Sequence, residues 1–125
     1  MRYSLLMHYE EPAEGTLDEE TLQAGMDAFS AYAAALEQAG VLIGAEVLQP
    51  ASSSTTLTAR DGALQVQDGP FADTKEQLAG IFVIDVPDLD AAIAWARDAP
   101  AVSWGAVEIR PGATFTVAGR WVPNT

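Results

Sequence analysis

A chain of 125 residues is the size of one ordinary domain, and its 18 acidic against 6 basic side chains give a net charge of −12, which repels phosphate backbones and anionic membrane surfaces. Hydrophobic residues make up 49% of the chain in short blocks, which excludes general disorder, and no block approaches the roughly 18 residues of a membrane-spanning helix. Cysteine is absent and histidine occurs once, so disulfides and thiol catalysis are excluded and a structural zinc or a His-rich oxygenase iron site lacks ligands.

Residues 2–9 alternate, with Tyr3, Leu5, Met7 and Tyr9 on one face and Arg2, Ser4, Leu6 and His8 on the other, the pattern of a strand with one apolar face. The apolar run in residues 1–7 is too short for a secretory signal and no small-residue cleavage site follows it, so a cytoplasmic location is expected. After a Pro- and Gly-containing loop, Thr16-x-x-Glu19 reads as a capping box, and a helix is predicted from about residue 17. Its apolar stripe is Leu22, Met26, Phe29, Ala33 and Leu36, and Gly40 supplies the stop. Residues 41–48 form a second predicted strand, with Leu42, Gly44, Glu46 and Leu48 on one side. A serine-rich loop leads into a polar hairpin insertion, residues 55–60 and 63–67, closed by Asp61-Gly62.

The next stretch is Asp68-Gly69-Pro70-Phe71, a turn in which Pro70 fixes its own φ, Gly69 supplies freedom and Phe71 offers a large apolar anchor. Asp73-x-x-Glu76 then reads as a second capping box over a short helical piece, with a ligand or catalytic role as the alternative for Asp73. A strand over 80–86, a helix capped by Asp88 with Leu89, Ala92, Ile93 and Ala96 inward and ended by Pro100, and a strand over 105–110 with Val107 and Ile109 inward complete the predicted core. Residues 113–122 are expected to add an edge strand or an arm to a partner. The order strand, helix, strand, hairpin, strand, helix, strand is that of an α+β, ferredoxin-like βαββαβ domain occupying residues 1–125.

The 68–71 turn, the Thr74-Lys75-Glu76-Gln77-Leu78 that follows it and the strand Ile81-Phe82-Val83-Ile84-Asp85-Val86 resemble the signature of the YCII-related family in its DGPF-type branch. Ala39-Gly40-Val41-Leu42 and Val107-Glu108-Ile109-Arg110-Pro111 are similar to it too, so the likeness spans roughly residues 2–111. The resemblance implies a homodimer in which two sheets close into a dimeric α/β barrel, and a setting linked to alternative sigma factors. It also implies, for members proposed to be enzymes, a first-helix His paired with an Asp; that position here is Phe29, so the dyad is missing.

The sheet face turned away from the helices is expected to carry Arg2, Ser4, Leu6 and His8, then Leu42, Glu46 and Leu48, then Ile81, Val83 and Asp85, then Glu108 and Arg110. A face washed only by water has no need of its apolar members, so it is expected to meet a second copy and to enclose a cavity. His8 and Glu46 are the candidate acid–base pair, with Asp73 as a third candidate catalytic group. Ser4, Asp68, Phe71, Asp85 and Arg110 are the candidate ligand contacts, with Arg2, Arg110 or a ligand as the expected partner of Glu46. The functional expectation is a dimer that binds an unidentified small molecule without a metal or cofactor; the alternative is a non-catalytic accessory module of a sigma-factor system. No nucleic-acid or membrane partner is expected.

Overall fold

The computed structural model describes residues 1–13 and 15–125. Its elements in chain order are strand β1 (Arg2–Tyr9), helix α1 (Glu19–Gln38), strand β2 (Leu42–Val47), a single 3-10 turn (Ala51–Ser53), strands β3 (Thr55–Arg60), β4 (Ala63–Asp68) and β5 (Gln77–Asp85), helices α2 (Leu89–Ala96) and α3 (Ala101–Trp104), and strands β6 (Gly105–Pro111), β7 (Thr114–Val117) and β8 (Arg120–Pro123). Four strands form an antiparallel sheet in the order β2-β5-β1-β6, an α+β arrangement compatible with the ferredoxin-like one. The ribbons β3–β4 and β7–β8 are separate two-stranded sheets.

The alternation in β1 buries Tyr3, Leu5 and Met7, and these join Phe82, Ile84 and Val86 from the β5 segment, Tyr32 and Leu36 from α1, and Ala92, Ala96, Ala99 and Ala101 in one core. All the helical members of that core meet the same side of the sheet. An aromatic chain runs through it: Tyr9 packs edge-on to Trp104 at 5.6 Å, Trp104 to Phe29 at 5.6 Å, Phe29 lies stacked 6.2 Å from Phe82, and Phe82 meets Tyr32 at 5.3 Å.

Helix ends follow local chemistry, with one correction. The α1 cap is Asp18 rather than Thr16: the Thr21 N–H donates to the Asp18 carboxylate at 2.7 Å, whereas the Thr16 hydroxyl donates to the Ala13 carbonyl. That contact holds the Asp18 carboxyl below its ordinary pKa. At the other end Gly40 adopts a φ of 73°, and Val41 N–H to Leu36 C=O and Gly40 N–H to Glu37 C=O close a Schellman motif. Asp88 caps α2 as expected, its carboxylate accepting from Ala91 N–H at 2.9 Å. The α2 helix stops at Ala96, before Pro100, and the short α3 follows it.

Four expected core residues are exposed, and one residue expected on the open face joins the core. The first half of α1 overhangs the sheet, so Leu22 and Met26 are exposed while Phe29 packs against the core. In α2 the small residues Ala92 and Ala96 take the inward places and Leu89 and Ile93 stay largely exposed. Leu42 sits opposite the buried Ile84 on the helix side, because the β2–β5 register shifts between Leu42 and Gly44.

The 113–122 segment forms its own hairpin, turned at Ala118 and Gly119, both with positive φ. It is fastened to the start of β1 by the buried Asn124 side chain, which accepts from Arg2 N–H at 2.8 Å and donates to the carbonyls of Arg2 and Gly112 at 2.8 and 2.7 Å. The Arg2 guanidinium lies 3.7 Å from the centre of the Phe115 ring, which adds a cation–π contact to the same anchor.

The Tyr32 hydroxyl donates to the Trp95 carbonyl at 2.8 Å and ties α1 to α2. Burial, with the Asp98 charge adding to it, pushes the Tyr32 phenol up to about 12 from 10.0, so folding favours the neutral form. The stability this confers is complete below the ordinary phenol value and is lost as pH rises from about 10 toward about 12. Tyr32→Phe is predicted to lower unfolding stability near neutral pH by about 1 kcal/mol, the usual net worth of one such bond, and to flatten the loss of stability between those two pH values. Urea melts of both proteins at neutral and alkaline pH measure the two effects.

Candidate functional site

The open side of the sheet is built by two irregularities in strand pairing. Along β1 and β5, Ser4 faces Val83 and Leu6 faces Ile81, but His8 faces Leu78, because Ala79 is an extra residue between Gly80 and Leu78. A strand without that bulge turns only odd-numbered residues of β5 to the open side; the bulge brings Leu78 there beside His8. On the other flank of β1, His8 faces Ala106 and Leu6 faces Glu108.

His8 therefore meets Glu108 on the neighbouring strand. Its Nε2 stands 3.5 Å from Glu108 Oε1, an ion-pair distance when the imidazole is protonated, and this buried nitrogen makes no hydrogen bond among the described residues. The other oxygen of Glu108 accepts from Arg110, whose side chain is mostly exposed. Gly105 supports the arrangement from behind: a Cβ there would collide with the His8 carbonyl and stand 2.9 Å from Tyr9 Cα, so only glycine lets β6 lie this close.

Glu46 is placed differently from the expectation. It lies opposite Ile81, which lies opposite Leu6, so a whole strand separates it from β1, about 10 Å at ordinary strand spacing. It is exposed and, among the described residues, forms no ion pair; neither Arg2 nor Arg110 reaches it. Water solvates it, which removes the need for a partner. Glu108 is the residue the alternation pattern placed on this face without a role, and its even-numbered register with His8 on adjacent strands was the signal available.

Beyond His8 the sheet ends in a cleft of about 640 Å³. Its walls are Leu48, Gln49 and the 3-10 turn on one side and Pro70, Ala72, Thr74 and Glu76 on the other, with His8, Gln77 and Leu78 between them. A second hollow of about 420 Å³ shares Ala51, Pro70 and Gln77 with it and is bordered by Glu11, Gln67, Asp68 and Asp73. The 68–71 corner thus stands between two adjacent hollows. Gly69 has a φ of 102°, a conformation that a side chain resists, and its N–H and C=O are held by the Ser54 carbonyl and the Thr56 hydroxyl, each at 2.8 Å.

Residues 71–76 contain no helix, so the expected capping box of Asp73 and Glu76 is not formed. Thr74 Oγ1 donates to the Glu76 carbonyl, and the Gln77 side chain donates to the Thr74 carbonyl at 2.8 Å and to Asp73 Oδ1 at 3.4 Å, which folds the segment as a polar loop. Phe71 is 78% exposed and borders neither hollow, so it anchors no core. Its dihedral neighbours, rather than its ring, make the corner.

Of the expected site residues, the structure gathers His8 at the first hollow and Asp68 and Asp73 at the second. Ser4 and Arg110 face each other one row along the sheet from Glu108, and Asp85 lies at the opposite end of β1, accepting from the α-amino group of Met1 at 2.9 Å. Phe29, at the place of the expected helical His, is locked between Phe82 and Trp104. Tyr9, next to His8, has its phenol pKa raised by burial and by the Glu11 carboxylate, which keeps it neutral. The described residues contain no group of three or more His, Cys, Asp or Glu side chains placed to hold a metal ion.

A family model of the YCII-related domain matches residues 1–116. The chain is also similar to an uncharacterized protein of Rhizobium meliloti (strain 1021), 36% identical over 117 residues that cover 92% of this chain and 94% of that protein.

Proposed function

The chain belongs to the YCII-related family, and we propose that it is a small-molecule-binding protein whose ligand occupies the cleft between the 68–71 corner and the open end of β1. The observation that carries this reading is the His8 Nε2 atom: among the described residues it is buried without a hydrogen-bond partner, in a residue that lines a cleft of ligand size. A bound acceptor or donor there completes the only histidine of the chain. Glu108, itself held by Arg110, stands 3.5 Å from the ring nitrogen and orients the ring. This gives His8 the means for proton transfer, with Glu108 as its positioning residue in place of Glu46.

The open face supports a second copy as partner. Leu6, Ile81 and Val83 form an apolar strip between the ionisable edges of the sheet, and α1 and α2 leave this side uncovered. A symmetry-related sheet laid on the strip forms the dimeric barrel and closes the exposed mouth of the cleft at Leu48 and Leu78. The accessory-module reading, linked to a sigma factor, draws on Phe29 standing where the family's proposed enzymes have His; it predicts that His8 and Glu108 bear no ligand.

A metabolite screen by thermal shift, run on the wild type, His8→Ala and Glu108→Gln, separates the two. A cleft ligand at 100 times its Kd stabilises the wild type by about 2.7 kcal/mol and His8→Ala far less. No shift with any compound, or equal shifts in all three proteins, removes the cleft from consideration. Val83→Asp is predicted to turn a micromolar dimer into a monomer in sedimentation velocity, since it places an unpaired charge in the sheet-to-sheet contact. A monomeric wild type contradicts the dimer.

A further inference from the structure

The open face of the sheet is ordered in rows that run across the strands. His8 and Leu78 share the row at the cleft, and Glu46, Ile81, Leu6 and Glu108 form the next. Gly44, Val83, Ser4 and Arg110 form the third, and Asp85 and Arg2 the last. The β7–β8 hairpin stands over that last row, since Arg2 points to the open side and its guanidinium lies 3.7 Å from the centre of the Phe115 ring. Trp121 is paired with Thr116, so it lies on the face of the hairpin turned away from Phe115 and Val122, and it is 73% exposed. One end of the open face is thus raised by a hairpin with a bare Trp, and the other is hollowed by the cleft of about 640 Å³.

Two copies can bury the strip of Leu6, Ile81 and Val83 about a two-fold axis that runs either along the strands or across them. An axis along the strands lays the second row on itself with the strand order reversed, so that Glu46 meets Glu108 of the partner subunit, carboxylate against carboxylate. It also sets both hairpins over the same end, where sheets about 10 Å apart leave no room for the two. An axis across the strands, through the middle of the strip, lays the second row on the third. Ile81 then meets Val83 of the partner subunit, and Glu108, already held by Arg110 of its own strand, meets Arg110 of the partner subunit. Each raised end comes to lie over a hollowed one. Resting on the dimer proposed above, and deepening it, we propose that the two sheets stack with opposed strand directions and that the β7–β8 hairpin of each subunit, led by Trp121, walls the cleft of the other. The cleft is complete only in the dimer, and the mouth beside His8 is closed by the hairpin of the second copy.

The test uses mixed dimers of the whole chain, formed by exchange between Thr116→Cys bearing a nitroxide and wild type enriched in carbon-13 at histidine. Thr116 neighbours Trp121 on the outer face of the hairpin, and the chain has no cysteine and a single histidine. The His8 ring signals of the enriched subunit are expected to broaden strongly, although the hairpin of that same subunit lies at the far end of β1. Sharp signals in a mixture that sediments as a dimer overturn the stacking and leave the dimer and the cleft ligand standing. A protein that sediments as a monomer overturns the stacking together with the dimer. Dimer affinity gives a second readout. Glu108→Arg opposes guanidinium groups across the contact and is expected to raise the dimer Kd about tenfold or more, and adding Arg110→Glu is expected to restore it. An axis along the strands instead tightens the Glu108→Arg dimer through Glu46, and that result overturns the proposal. Trp121→Ala is expected to raise the dimer Kd about tenfold while the Asn124 anchor keeps the hairpin in place, and an unchanged Kd overturns the part given to Trp121.

Discussion

One extra residue in β5 sets the geometry on which the candidate site depends. Strand β1 is paired on both sides, so its register is fixed by two ladders at once, and a slip of one position would turn Leu5 and Met7 out of the core and His8 into it. Within that frame the Ala79 bulge absorbs the mismatch between the core-facing alternation of residues 80–84 and the need for Leu78 beside His8. The bulge, the glycine at 105 and the corner at 68–71 act on the same few residues: one re-aims the neighbour of His8, one lets β6 approach its backbone, and one walls the space in front of it.

The helix side of the sheet is aromatic where the open side is polar. Phe29, Trp104, Phe82, Tyr32 and Tyr9 form a continuous aromatic contact chain, and an ionisable group at position 29 would have to be desolvated within it. The ionisable side chains His8 and Glu108 lie instead on the open side, and others lie in the loops bordering the hollows. The ends of the open side differ in kind: Arg2 is immobilised on Phe115 and Asn124, whereas the His8 end opens into the cleft. Structure is concentrated at one end of β1 and available polar groups at the other.

Much of the architecture was legible in the chain. The alternation of β1, the Gly40 stop, the Asp61-Gly62 hairpin and the Asp88 cap each rest on a local rule, and local rules suffice where one residue dictates a backbone conformation. The features that were not legible depend on pairing between distant strands. Neither the bulge at Ile43, which moves Leu42 to the core, nor the one at Ala79 leaves a mark in the alternation itself. The distance from His8 to Glu46 likewise follows from β5 lying between β1 and β2, and the nearer Glu108 follows from β6 pairing with β1. Residues 73–76 satisfied the capping pattern yet formed no helix, since the five residues between a rigid proline corner and a strand starting at Gln77 leave no room for one. The Ala118-Gly119 turn lacks the Asn or Asp that signals such hairpins, and the anchoring of its strand by Asn124 is a tertiary contact.

The 68–71 corner and His8, 60 residues apart in sequence, line one space. The chain has no cysteine and a single histidine, so one nitroxide attached through Ala72→Cys and one pair of imidazole ring signals report on that space without ambiguity. Strong paramagnetic broadening of the His8 ring signals is predicted, with much weaker broadening of the Phe115 ring of the same subunit, at the far end of β1. Sharp His8 signals in the labelled, folded protein would contradict it, because the corner would then stand apart from the histidine it is held to enclose.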